Sequence, residues 1–168
     1  YIQKFGFLKK NHPPYLTMAL GAGTVSPMDL ALGYSVFANK GFRIKPKYIK
    51  KIEDFKGNVI YSDSNSYSKK KRVITERNAF VMFNMLQDVI KVGTGKGAKK
   101  IGRIDLAGKT GTTNEQRDAW FSGFQPNLVS VVWVGFDNPK SLGANQTGSS
   151  LALPIWISYM EKALENYS

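Results

Sequence analysis

Cysteine is absent from the 168 residues and histidine occurs once. The first absence removes disulfides, thiolate catalysis and thiol-rich metal sites together. The second leaves His12 as the one side chain from which a serine–histidine triad could be built. It sits in Asn11-His12-Pro13-Pro14, a turn-forming segment, and reads as a loop histidine rather than a general base. Long apolar runs are missing too: the longest, residues 128–136, is interrupted by Ser130 and is much too short to span a bilayer. No residue pattern suggests a metal or an organic cofactor.

Acidic residues are scarce. Lys and Arg outnumber Asp and Glu by 24 to 12, a formal charge of +12 that favours encounters with polyanions. The basic residues concentrate at 45–51, 69–72 and 96–103. None of these runs reads as interleaved with the aromatics that stack on single-stranded bases, so they are taken as a solvated face and no nucleic-acid partner is expected. A catalytically inactive domain, or a basic module that binds nucleic acid or another polyanion, remains the competing reading.

What is present suits one globular core: 42% of residues are hydrophobic and 21% charged. Patterned sequence begins almost at Tyr1, so the chain reads as cut from something longer. Ser26-Pro27-Met28-Asp29 is a helix start, with serine at the N-cap, proline in the first turn and an acid three residues on. Leu30, Tyr34 and Phe37 fall on one face, and Asn39-Lys40-Gly41 ends the helix. Residues 42–53 read as a strand, turned back by Phe55-Lys56-Gly57-Asn58 into Val59-Ile60-Tyr61. Residues 62–72 are serine and lysine with almost nothing apolar and read as a mobile surface loop.

Thr75 caps a second helix in which Ala79, Phe83, Leu86 and Ile90 repeat at helical spacing, until the loop Gly93-Thr94-Gly95-Lys96-Gly97 stops it. Strands are expected from residue 104 through 109 and beyond, at 119–124, and at 128–136 after a Gln125-Pro126-Asn127 turn. Pro154 opens a last amphipathic helix with Trp156, Tyr159, Met160 and Ala163 on one stripe. The expected class is α+β, an antiparallel sheet covered by helices, in one unit over residues 1–168.

The sharpest local signal is Ala107-Gly108-Lys109-Thr110-Gly111-Thr112-Thr113-Asn114, a cation, hydroxyls and a glycine at the end of an apolar strand. Such a stretch suits an anionic ligand. On a strand Lys109 and Gly111 share one face, Thr110 and Thr112 the other. Gly111 would leave the backbone uncovered on the lysine side, where a ligand chain could lie close. A phosphate-cradling loop fits poorly, because five residues separate Gly102 from Gly108 where that loop requires four.

The lysine-threonine-glycine signature on a strand is the other reading. With it come Gly21-Ala22-Gly23-Thr24-Val25-Ser26-Pro27, Phe37-Ala38-Asn39, Met85-Leu86-Gln87-Asp88-Val89-Ile90, Gly93-Thr94-Gly95, Asp118-Ala119-Trp120-Phe121-Ser122-Gly123-Phe124 and Trp133-Val134-Gly135-Phe136-Asp137. In that order these segments resemble class A, bifunctional penicillin-binding proteins, in the C-terminal part of their transpeptidase domain. The synthases are resembled more than the smaller serine β-lactamases.

The resemblance implies a D,D-transpeptidase that cross-links peptidoglycan stem peptides through a serine acyl-enzyme and is trapped by β-lactams. It implies that Lys109 sets the electrostatics near the nucleophile and the donor carboxylate, that Thr110 and Thr112 hydrogen-bond that carboxylate along Gly111, and that the Thr112 N–H forms half of an oxyanion hole. Since alternation separates Lys109 from Thr110, a twist, a bulge or contacts around the strand edge are expected.

The family's nucleophile and serine-x-asparagine motifs lie upstream of the matching segment. No serine-x-asparagine occurs here, and the formal serine-x-x-lysine matches, Ser66 to Lys69 and Ser68 to Lys71, fall in a polar loop where a nucleophile would be neither positioned nor partly desolvated. The expectation is a fragment without its nucleophile, inactive alone and partnered by the rest of the same polypeptide, stem peptide or lipid-linked precursor, and β-lactams. A membrane anchor, an upstream glycosyltransferase domain and a place on the extracytoplasmic, periplasmic face of the inner membrane are also implied.

Overall fold

The computed structural model describes residues 1–63, 71–165 and 167. Ser26 begins α1 (Pro27–Ala38) with the expected reciprocal cap: its Oγ accepts from the Asp29 N–H at 3.1 Å, and the Asp29 carboxylate accepts from the Ser26 N–H at 3.1 Å. Lys40 and Gly41 end it in left-handed conformations, φ 52° and 89°. A Cβ at Gly41 would also fall 2.2 Å from the Ile74 carbonyl oxygen, so glycine is required there twice over.

The strand expected over 42–53 divides. Phe42–Arg43 (β1) pairs with Lys71–Arg72 (β4), and Lys51–Glu53 (β2) pairs with Val59–Ser62 (β3). Pro46, which cannot donate to a ladder, lies in the unpaired stretch between β1 and β2. The turn between β2 and β3 is held by Asp54, whose carboxylate accepts from the Lys56 and Asn58 N–H groups at 2.8 Å each. Ser62 and Lys71–Arg72 are therefore strand ends rather than parts of a loop, while residues 64–70, with Ser66, Ser68 and Lys69, lie outside the described residues. Tyr48 stands 79% exposed among the lysines of the 45–51 run, so that run is not free of exposed aromatics.

Thr75 caps α2 (Glu76–Lys91), its hydroxyl accepting from Asn78 N–H at 3.1 Å. Past the glycine loop, residues Lys96–Ile101 form a 3-10 turn that takes in Gly97. The main sheet then runs β5 (Ala107–Thr112), β6 (Asp118–Gln125) and β7 (Leu128–Gly135), antiparallel throughout and in the order β5-β6-β7. β5 starts later than its sequence suggests: Leu106 is buried just ahead of it, but Ile104 is 90% exposed. Arg103 fixes this approach, donating to Asp105 through two nitrogens at 2.8 and 2.7 Å and to the Tyr167 carbonyl at 2.7 Å.

One sheet face carries Ala107 and Phe124 against Leu86, Tyr34, Phe37 and Phe83 of α1 and α2. The opposite face carries Phe121 against α3 (Leu153–Ala163), where Leu153, Trp156, Ile157 and Met160 are buried. Tyr159 is 51% exposed and so lies off the buried stripe. A π-helical turn, Gly148–Ala152, leads into α3 and was not foreshadowed by any periodicity. Trp156 is fully buried, its ring 4.9 Å from that of Phe121 and its Nε1–H donating to the Ser130 carbonyl at 3.2 Å.

Among the described residues no helix is long and apolar enough to cross a membrane. Several large apolar side chains stand open to solvent, including Leu16 at 96%, Leu20 at 89% and Phe80 at 66% exposure.

Candidate active site

In the described sheet β5 has β6 on one side and no strand on the other, so the Lys109–Thr112 segment runs along an open edge. Its pairing with β6 is continuous, Lys109 opposite Ser122, Thr110 opposite Phe121, Gly111 opposite Trp120 and Thr112 opposite Ala119. The expected bulge is therefore absent. Lys109 instead reaches around the edge: its Nζ donates to the Thr110 carbonyl at 2.7 Å and lies 3.4 Å from Thr110 Oγ1. A lysine and a threonine on opposite faces are joined in this way without any break in the ladder.

The backbone follows the same logic. Thr113 N–H donates inward, to the Asp118 carbonyl on β6 at 3.1 Å. Successive residues of an antiparallel strand alternate their backbone groups between its two edges. The N–H of Thr112 and the carbonyl of Thr110 therefore share the outer, unpaired edge, the same carbonyl that Lys109 grips.

The remaining residues of the segment are fixed by packing. A Cβ at Gly108 would meet the Phe121 ring and the Ser122 carbonyl at 2.9 Å. At Gly111 the nearest neighbour of an added Cβ would be Trp120 Cβ, at 3.1 Å. Trp120 on β6 therefore crowds the position where a side chain at residue 111 would begin. Thr112 Oγ1 accepts from the Gly148 N–H at 3.1 Å, and a Cβ on Gly148 would fall 2.3 Å from the Trp120 carbonyl oxygen and 2.5 Å from that of Gly111. The π-helical turn lies flush on the strand, and only glycine allows it.

Past Thr112 the chain turns through Glu115 and Gln116, both left-handed at φ 58° and 55° although neither is glycine. Asp118 braces this turn. Its N–H donates to Thr113 Oγ1 at 2.8 Å, and its carboxylate accepts from Trp133 Nε1 at 2.7 Å. Behind the sheet Tyr34 is half-buried beside the Ser122 side chain, and desolvation raises its phenol above the usual tyrosine range while the Ser122 contact opposes the rise.

Two contacts with the segment went unassigned in the sequence. Thr94 Oγ1 lies 2.7 Å from Thr110 Oγ1, and Gly148 supplies the partner of Thr112. Thr94 was visible as part of a glycine-threonine-glycine loop, yet nothing local says which strand that loop touches. His12 remains a loop residue, its Nδ1 2.8 Å from the Leu8 carbonyl oxygen.

The penicillin binding protein transpeptidase domain family matches residues 4–161. The chain is 45% identical over 174 residues to penicillin-binding protein 1A of Neisseria flavescens, covering 100% of this chain and 21% of that protein. It is 38% identical to penicillin-binding protein 1A of Pseudomonas aeruginosa, covering 99% of this chain and 26% of the relative. Penicillin-Binding Protein 1A from Haemophilus influenzae superposes with a TM-score of 0.91 at 32% identity, over 99% of this chain and 30% of that one. The PonA1 protein from Mycobacterium tuberculosis, in complex with penicillin V, gives 0.79 at 30% identity over 93% of this chain and 43% of that one. The chain spans about a fifth to a quarter of the length of the curated relatives it matches. An open-edged strand carrying Lys109-Thr110-Gly111, set in a fold shared along almost the whole chain with these proteins, places the chain in the penicillin-binding protein transpeptidase family, as a portion of a class A transpeptidase domain.

Proposed function

We propose that these residues form one wall of a D,D-transpeptidase site that cross-links peptidoglycan stem peptides through a serine acyl-enzyme and accepts β-lactams as substitutes for the donor. The observation that carries this reading is the alignment along the open edge of β5: the Lys109 ammonium, the Thr110 hydroxyl and the outward N–H of Thr112. A peptide ending in D-alanine presents the matching groups, a carboxylate for the cation and hydroxyl and a carbonyl oxygen for the N–H.

In this site Lys109 draws the donor carboxylate and sets the potential at the reacting serine. Thr110 and Thr112 hold the carboxylate, while Gly111 lets the strand lie close under Trp120. The Thr112 N–H, fixed before charge develops, stabilises the oxyanion as the serine oxygen bonds to the carbonyl carbon and the leaving group departs. One such donor is worth roughly a hundredfold or more in rate.

The nucleophile and the serine-x-asparagine motif belong to a segment upstream of Tyr1. That segment would also cover exposed side chains such as Leu16, Leu20 and Phe80. With the relatives' greater length come the remaining proposals: a glycosyltransferase domain ahead of this one, an N-terminal membrane anchor, lipid-linked precursor as a second substrate, and work on the extracytoplasmic face of the inner membrane.

Intact mass after penicillin treatment of the complete gene product, beside a Lys109→Ala variant, tests the reading. One adduct on an upstream serine, strongly slowed by Lys109→Ala, is expected. A folded full-length protein that takes no adduct, or an adduct on a serine of residues 1–168, overturns it.

A further inference from the structure

The Thr110 hydroxyl has more partners than its own strand supplies. Thr94 Oγ1 lies 2.7 Å away and Lys109 Nζ 3.4 Å away. An ammonium only donates, whereas a hydroxyl offers one proton and two lone pairs. If Thr110 donated to Thr94, its proton would be spent inside the protein and an anion at the open edge would meet only lone pairs. If Thr94 donates, Thr110 accepts from Thr94 and from Lys109, and its proton is left for the anion. A bound carboxylate therefore selects the second arrangement, in which the hydrogen bond from Thr94 fixes the direction in which the Thr110 hydroxyl points its proton.

Thr94 is held for this by the end of α2. The Val92 and Gly93 N–H groups both donate to the Asp88 carbonyl, at 2.9 and 3.1 Å, and Gly95 N–H donates to the Val89 carbonyl at 2.9 Å. A Cβ at Gly93 would sit 2.9 Å from both Val89 Cα and its carbonyl oxygen, and one at Gly95 would sit 3.2 Å from that oxygen. The loop is thus pressed flat on the helix end. Thr94, between two glycines, brings the one side chain of the three to β5.

We propose that Thr94 is a positioning residue of the carboxylate subsite: its hydroxyl donates to Thr110 Oγ1 and so commits the Thr110 proton to the carboxylate of a D-alanine-terminated donor or of a β-lactam. This rests on the transpeptidase reading above.

The test uses the full-length protein and two probes, benzylpenicillin and its methyl ester, which lacks the anionic charge. Acylation rates are compared for the parent, Thr94→Val, which keeps the shape without the hydroxyl, and Thr94→Ser, which restores it. Thr94→Val is expected to slow acylation by the free acid about two- to tenfold, the worth of the neutral hydrogen bond it removes. The ester rate should hardly change, and Thr94→Ser should return the acid rate. Equal slowing of both probes, no slowing of either, or no recovery with serine overturns the assignment to Thr94. Absence of any adduct in the parent overturns the transpeptidase reading itself, and this inference with it.

Discussion

The three-stranded sheet and the β2–β3 hairpin are both antiparallel, and they differ in what lies against them. Along β6, Ala119, Phe121 and Phe124 are fully buried, covered by helices on both faces. Every residue of β2 and β3 is exposed, with Ile60 at 69% and Phe55, in the turn, at 95%. Strand pairing alone does not make a rigid scaffold; burial on both faces does. The Lys109-Thr110-Gly111-Thr112 segment borders the rigid sheet, where its N–H and hydroxyl are held in place before a ligand arrives. The hairpin carries no comparable set of polar groups.

The largest way to break this contrast is Trp156→Ala. It removes a fully buried ring packed on Phe121 together with its hydrogen bond to the Ser130 carbonyl, for a cost of about 3–5 kcal/mol. Hydrogen exchange in the full-length protein should show β6 and β7 opening far more readily, with β2 and β3 unchanged. Unchanged protection in β6 would mean that α3 is not what holds the sheet. Next comes Gly148→Ala. The added methyl must push against the Trp120 and Gly111 carbonyls, a misfit of about 1–3 kcal/mol that falls on the strand bearing the motif. Acylation by penicillin should slow and the melting temperature should fall by a few degrees; parent-like acylation would show that β5 tolerates the shift.

How much of this was legible in the sequence follows from the same contrast. The caps at Ser26 and Thr75, the strand character of β6 and β7 and, of the left-handed exit expected at Asn39-Lys40-Gly41, its last two residues are local, written in residues adjacent in the chain, and are found, whereas Asn39 keeps a negative φ of −100°. The antiparallel sheet and the placing of Lys109, Thr110 and Thr112 at its end were readable from the motif and its neighbours. The single strand expected at 42–53 failed because its pairing depends on β4, which lies about thirty residues away. The role of Trp120 beside Gly111 was hidden for a similar reason, since only register puts the two opposite each other. Thr94 and Gly148 reach the motif from 16 and 36 residues away, and no periodicity encodes such a contact.

A smaller effect tests the approach to β5. Hydrogen bonds from Arg103 hold the Asp105 carboxyl below the usual carboxylate range. A carboxyl depressed in the folded state adds stability that is present above its unfolded value, about 3.9, and is lost as pH falls through the folded value. Thermal unfolding scanned from about pH 6 to pH 3 should fall more steeply for the parent than for Asp105→Asn. Parallel profiles would remove this pair from the account of acid sensitivity.

Phe55→Ala gives the smallest effect and sharpens the comparison most. Its ring is 95% exposed, with the Lys56 ammonium 5.5 Å from its centroid as the cation over it. Solvent already surrounds what the substitution removes, so stability should stay within about 0.5 kcal/mol of the parent. The Asp54 carboxylate should keep the turn closed through Lys56 and Asn58. If exchange in β2 and β3 instead rose strongly while β6 held, the ring would be packing against something in the full-length protein, and the hairpin would be a buried element of a larger body rather than an exposed arm.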